Sequence, residues 1–194
     1  LKNFLITILL FFCLAGILPR AATLPGKKVL FIVAPQNFRE EELFIPREIL
    51  TKAGYRVDIA SLVLGQLSGT QGGKAVCNLL LSQVELSEYQ CLVFIGGPGA
   101  QVYWDNPEAQ FLAQKAVQER LVLGAICIAP VTLARAGVLK GRKATVWPEL
   151  KGELSKGGAE YLNRGVVKDG NIVTASGPQA AREFGETLLR LLKS

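Results

Sequence analysis

Apolar positions along this chain fall into short continuous runs, each closed by glycine, proline or a polar turn. Lys27-Lys28-Val29-Leu30-Phe31-Ile32-Val33-Ala34 predicts a buried first strand, with Pro35 and Asn37 marking the turn. Residues 41–53 predict a helix ended by Gly54, and residues 55–62 alternate as a second strand. The glycine-rich stretch 63–88 predicts a hairpin and a short helix. Cys91-Leu92-Val93-Phe94-Ile95 is a further buried strand running into Gly96-Gly97-Pro98-Gly99. Asn106-Pro107-Glu108 supplies a cap, an N1 proline and an early acid, so a helix starts there and runs to about Arg120. Beyond residue 130 the pattern predicts a strand over 143–147, a helix from Glu149 and a hairpin turning on Asp169-Gly170. Ser176-Gly177-Pro178 opens a closing amphipathic helix with Phe184, Leu188, Leu189 and Leu192 on one face.

Apolar strands alternating with helices argue an α/β domain over residues 27–194, a mostly parallel sheet covered on both faces. Ligands gather at the carboxyl ends of strands in such sheets. Two segments belong at such ends: the glycine loop after Ile95 and the turn after Ile126.

Residues 121–126 form an apolar run of strand length, and Pro130 is tolerated only in the first turn of a helix. A helix over Val131-Thr132-Leu133-Ala134-Arg135-Ala136 therefore starts near Ile128 or Ala129 and stops at Gly137. Cys127 falls at its N-terminal mouth, where unpaired N–H groups and the macrodipole favour a thiolate. The competing reading is a small buried core cysteine. The chain contains no histidine, the usual partner of a reactive thiol.

Composition sharpens this picture. Residues 1–24 do not belong to the fold: Lys2 precedes an apolar stretch over residues 4–18, interrupted only by Thr7. That is signal-peptide length and short of a full span. Pro19-Arg20-Ala21-Ala22 makes a poor cleavage site, so an uncleaved membrane anchor through residues 4–18 is the companion expectation. The protein is expected to be exported or membrane-anchored; a mis-assigned start would make it cytoplasmic. The formal charge of +6 includes Lys2 and Arg20, and the rest is spread along the chain with no basic run carrying interleaved aromatics. No nucleic-acid partner is expected. Beyond Cys13 the cysteines are Cys77, Cys91 and Cys127, without C-x-x-C or metal-ligand spacing. Neither a metal site nor a cofactor is expected. Cys77 and Cys91 are either a disulfide or two separately buried thiols.

Gly96-Gly97-Pro98-Gly99 lacks the lysine and the spacing of a phosphate loop. It is better suited to bring backbone N–H groups up to whatever Cys127 attacks. Glu40-Glu41-Glu42 complements the dipole of the following helix. Glu42 differs from the other two because Pro46, four residues on, cannot donate to its carbonyl, so irregular backbone is expected there.

Three separated motifs resemble the ThiJ/PfpI superfamily: Glu42-Leu43-Phe44-Ile45-Pro46, Phe94-Ile95-Gly96-Gly97-Pro98-Gly99, and Ala125-Ile126-Cys127-Ile128-Ala129-Pro130 followed by Ala136-Gly137-Val138-Leu139-Lys140-Gly141. Asp169-Gly170-Asn171-Ile172-Val173-Thr174-Ala175-Ser176-Gly177-Pro178 is similar to the end of that family. The resemblance covers roughly residues 27–193. It implies a flavodoxin-like three-layer sandwich with a cysteine nucleophile elbow, usually a homodimer or larger homo-oligomer. It implies Cys127 as the elbow cysteine and Glu42 as the carboxyl that hydrogen-bonds it. It further implies Gly97 and Ile128 as donors of backbone N–H groups to an oxyanion. Gly96 and Trp147 are the candidate substrate-binding positions. The chain departs from the family at Ile128, where protease-like members have histidine, and near Trp147, where deglycase-like members often have one. A homo-oligomer of histidine-free subunits cannot assemble a Cys-His triad, so peptidase chemistry of that kind is excluded.

Three functions remain. The first is a histidine-independent thiol enzyme of glyoxalase or deglycase type acting on small reactive carbonyls or their adducts. The second is a redox-sensing, stress-protective protein whose low-pKa exposed Cys127 meets an oxidant without turnover. The third is a decayed site kept for structure or assembly.

Overall fold

The structure, a computed structural model, describes residues 27–194. The expected leader and its anchor over residues 4–18 lie outside the described residues. The chain begins with β1 (Lys28–Ile32), β2 (Gln36–Phe38), α1 (Glu40–Lys52) and β3 (Arg56–Ser61). A hairpin of β4 (Gly65–Gly69) and β5 (Lys74–Cys77) follows, then β6 (Leu79–Leu80), two single 3-10 turns and β7 (Cys91–Phe94). Next come α2 (Pro107–Gln118), β8 (Val122–Ile126), α3 (Pro130–Arg135), β9 (Lys143–Ala144), α4 (Lys151–Lys156) and β10 (Glu160–Tyr161). The chain closes with β11 (Val166–Asp169), β12 (Ile172–Ala175) and α5 (Ala181–Leu192).

The main sheet has seven strands in the order β11-β12-β8-β7-β1-β3-β6, parallel throughout except for the β11–β12 hairpin. Its strands are apolar on both faces because each face is buried. Leu30, Ile32, Leu92, Phe94, Leu123 and Ala125 pack with the α2 and α3 side. Val29, Phe31, Cys91, Val93, Val122 and Ile126 pack with Leu43, Leu50, Phe184 and Leu188 of α1 and α5. The two-residue period of a strand divides one apolar run between two cores. The result is the expected three-layer sandwich.

Where expectation and structure differ, the causes are local. The helix α1 runs unbroken through Pro46, so the irregularity expected at Glu42 is absent. Gly185 lets α5 close onto that proline: a Cβ there would lie 2.9 Å from the Pro46 Cα. The strand expected over 143–147 stops at Ala144. Thr145 N–H donates to Thr174 Oγ1 at 2.9 Å and Trp147 N–H to the Cys127 carbonyl at 2.8 Å. That backbone is consumed by tertiary bonds and leaves no ladder. The helix expected from Glu149 begins at Lys151, after one 3-10 turn over Pro148–Leu150. Asn106 caps α2 as expected, accepting from Ala109 N–H at 2.9 Å. Cys77 and Cys91 are separate buried free thiols, and burial pushes both above the usual thiol range.

Candidate active site

Three loops converge at the carboxyl ends of β1, β7 and β8. Cys127 follows β8 directly with φ +64°, a left-handed conformation that L-residues seldom adopt. Its N–H donates to the Ala175 carbonyl at 2.8 Å and its carbonyl accepts from Trp147 N–H at 2.8 Å. Two tertiary bonds therefore hold the elbow in a strained conformation, as is common where a side chain must be aimed.

Two glycines make room for it. A Cβ on Gly96 would lie 2.4 Å from Glu42 Oε2, 2.6 Å from Cys127 Cβ and 2.6 Å from the Ile126 carbonyl. Glu42, Gly96 and Cys127 thus meet at one point, and Gly96 serves close packing there. Gly97 has φ +93°, and a Cβ on it would lie 2.4 Å from Arg39 N and 2.5 Å from the Asn37 carbonyl. Arg39 N–H donates to the Gly96 carbonyl at 3.1 Å, tying the start of α1 to the glycine loop.

Glu42 is fully buried. Neither carboxyl oxygen meets a partner at full hydrogen-bonding geometry. Burial pushes its pKa up to about 8; the Cys127 thiol, the Arg39 charge and the Gly96 N–H only moderate this, and the negative Glu41 adds to it. A carboxylic acid is therefore present at neutral pH.

Cys127 is 7% exposed. Burial, and after it the negative charge of an ionised Glu42, pushes the thiol up to about 12; the backbone N–H groups of Gly97 and Ile128 act in the opposite direction. This corrects the expectation of an exposed, low-pKa thiolate. The physical reason is that desolvation in the α1–α5 core outweighs a helix of only six residues. The Gly97 and Ile128 N–H groups nevertheless converge on the sulfur.

Among the aromatic side chains that follow the glycine loop, Tyr103 is buried and donates to the Val33 carbonyl at 2.8 Å, so it packs. Trp104 Nε1 donates to the Ile128 carbonyl at 3.2 Å, steadying the residue after the cysteine. Trp147 keeps a partly exposed ring laid over Gly177, where a Cβ would come within 3.1 Å of it.

The three consecutive acids have separate tasks. Glu40 accepts from Thr70 Oγ1 at 2.9 Å, Gln71 N–H at 2.6 Å and Gly73 N–H at 3.1 Å, clasping the β4–β5 hairpin tip. Glu41 pairs with Arg39, and Glu42 turns inward. Sequence reasoning missed Arg39 as a member of this rim. Its signal was a lone cation directly before three acids.

Comparison with known proteins identifies the family of this fold. The DJ-1/PfpI family model matches residues 27–191. An uncharacterised protein of Methanocaldococcus jannaschii is 39% identical over 93% of this chain and 90% of its own length. A deglycase of Pyrococcus horikoshii is 34% identical, covering 86% of this chain and 99% of its own. A glutathione-independent glyoxalase of Caenorhabditis elegans is 26% identical over 86% of this chain and 89% of its own. The crystal structure of a ThiJ/PfpI domain protein from Brachyspira murdochii superposes with a TM-score of 0.86 at 30% identity, covering 87% of this chain and 98% of that one. The chain belongs to the DJ-1/PfpI family.

Proposed function

We propose that this protein is a histidine-independent cysteine enzyme of glyoxalase or deglycase type, acting on small 2-oxoaldehydes or their adducts. The observation that carries the reading is a buried carboxylic acid and a thiol meeting at Gly96, with two backbone N–H groups aimed at the sulfur. The glyoxalase and deglycase relatives support the reaction class.

The Cys127 sulfur adds to the aldehyde carbon, and its proton passes to the new alkoxide, giving a hemithioacetal. The N–H groups of Gly97 and Ile128 hold the alkoxide as it forms. Glu42, as the neutral acid, gives its proton to the adjacent carbonyl oxygen and takes the proton from the former aldehyde carbon, leaving an enediol; it then delivers that proton to the adjacent carbon as it takes the one on the first hydroxyl. Water hydrolyses the resulting 2-hydroxyacyl thioester. The products are a 2-hydroxy acid and the free thiol, so no external oxidant is needed. With no histidine in the chain, Glu42 is the proton carrier closest to the sulfur.

The test is consumption of methylglyoxal with formation of lactate by the purified protein. Cys127→Ser is expected to abolish it and Glu42→Gln to lower kcat by about 100-fold or more, the scale of general acid–base catalysis. Equal turnover by Cys127→Ser would overturn the reading.

A further inference from the structure

The rim of the thiol site on the α1 side carries a charge that the carbonyl chemistry leaves unused. Arg39 precedes α1 with extended backbone, φ −89° and ψ 121°. Its N–H is fixed on the Gly96 carbonyl, so its Cα is anchored beside the loop that flanks Cys127. The side chain folds over Glu41, with Nε 2.8 Å from Oε2 and Nη2 3.2 Å from Oε1. Gln71 Nε2 from the hairpin tip reaches the same carboxylate at 3.3 Å. Both members of the pair are about one-third exposed. A guanidinium offers five donors in a planar fork, and Glu41 occupies two. Nη1 has no protein partner among the described residues. The Arg39 charge also reaches the reacting pair, because it favours the ionised form of Glu42 while Glu41 opposes it. The thiol itself is otherwise packed among apolar side chains.

We propose that Arg39 anchors a carboxylate carried by the substrate, with Glu41 as the resident counter-ion that the substrate displaces. Within that chemistry, the molecules favoured at this rim are those bearing a carboxylate close to the reacting carbon. Exchanging one carboxylate for another at a guanidinium that is one-third exposed preserves the bidentate geometry and adds little desolvation cost. Glu41 keeps the site neutral when empty and sets a threshold that uncharged carbonyls do not have to cross. The substrate class rests on the carbonyl reading above; the preference of the thiol site for anions does not.

The two are separated by alkylating Cys127 with iodoacetate and with iodoacetamide at one pH, followed by peptide mass spectrometry. Both reagents lose iodide to the same sulfur and differ only in carboxylate against carboxamide. The ionisation of Cys127 therefore cancels in the ratio of rates. Arg39→Gln is expected to lower the iodoacetate-to-iodoacetamide ratio by about tenfold, the scale of a charge-assisted hydrogen bond at a partly exposed site. Arg39→Lys should lower it less, because a point charge keeps attraction and loses the fork. Glu41→Gln should raise it, a gain that damage to the fold does not produce. A ratio unmoved by Arg39→Gln and Glu41→Gln overturns the anchor. In turnover, the methylglyoxal hemithioacetal of N-acetylcysteine should show a higher kcat/KM than that of N-acetylcysteine amide, and Arg39→Gln should erase the difference. Absence of any turnover, with the alkylation ratio behaving as stated, would sink the carbonyl reading and leave the anion anchor standing. Turnover with no carboxylate preference would sink the anchor and leave the carbonyl reading.

Discussion

Glu42 and Cys127 share one buried point but answer differently to pH. The folded carboxyl has its pKa raised to about 8 from an ordinary 4.5, chiefly by burial. Folding therefore holds a proton that the unfolded chain releases. The stability from the neutral carboxyl is fully present below about 4.5 and is lost as pH rises towards 8. The shift corresponds to a loss on the order of 5 kcal/mol for a group without solvent contact. Glu42→Gln keeps a neutral side chain at every pH. Its thermal midpoint should stay nearly level between pH 5 and 8, below the range in which the buried thiols contribute, where the wild type falls by roughly 7 °C or more at 2–4 °C per kcal/mol. Parallel declines in both proteins would show that the carboxyl is not held neutral. Alkylation of Cys127 by iodoacetamide should likewise rise through a step near pH 8, as the pair loses its first proton, and the step should vanish in Glu42→Gln. The cysteine and the glutamate were legible from their motifs. Their ionisation was not, because it depends on how deeply α1 and α5 bury the elbow, and no local pattern encodes that depth.

Within each element, the sequence located the turns better than it located the strands' ends. Gly96 and Gly97 were legible as a backbone-approach loop, but which glycine made room for what was not. Gly96 spares a clash with Glu42, Cys127 Cβ and the Ile126 carbonyl together. Gly97 supplies positive φ against Arg39. Gly54 also has positive φ, +87°, but a Cβ there meets open space. Gly96→Ala should therefore lower stability by about 1–3 kcal/mol, the usual range for overpacking, and displace the carboxyl from the thiol. Gly54→Ala should cost about 1 kcal/mol of backbone strain and leave turnover intact. Urea midpoints and methylglyoxal turnover measured side by side check the contrast; full activity in Gly96→Ala would show that the contact is not needed. The left-handed φ of Cys127 could not be read in advance, since nothing in Ile126-Cys127-Ile128 signals it and only the bonds to Ala175 and Trp147 impose it. The Trp147 bond, together with that of Thr145 N–H to Thr174 Oγ1, also ends the strand expected up to residue 147.

At the scale of the molecule, parallel strands explain why motifs far apart in the chain form one site. The start of α1 follows β1 through the short β2, the glycine loop follows β7 and the elbow follows β8, so all three lie beyond the carboxyl edge of the main sheet. That much was legible from apolar runs alternating with helices. The opposite edge holds the chain's entry: Lys28 aligns with Arg56, and its carbonyl accepts from Gln90 N–H at 3.0 Å. Five residues of β1 at about 3.3 Å each place that entry roughly 17 Å from the edge that carries Cys127. We propose that the apolar residues 4–18 hold the protein at a membrane with this entry edge nearer the lipid, which would leave the site facing the aqueous phase. Glu88, ion-paired with Lys28 at 2.7 Å, marks the near edge. Val102, exposed in the turn after the glycine loop, marks the far one. With the full chain on vesicles, a fluorophore on a cysteine introduced at position 88 should be quenched by nitroxide-labelled lipids, and one at position 102 should not. Stronger quenching at 102 would reverse the orientation, and failure of the full chain to bind vesicles would remove the anchor itself. That orientation would suit the proposed chemistry, because small reactive carbonyls are water-soluble and would reach Arg39 and Cys127 without crossing the headgroup layer.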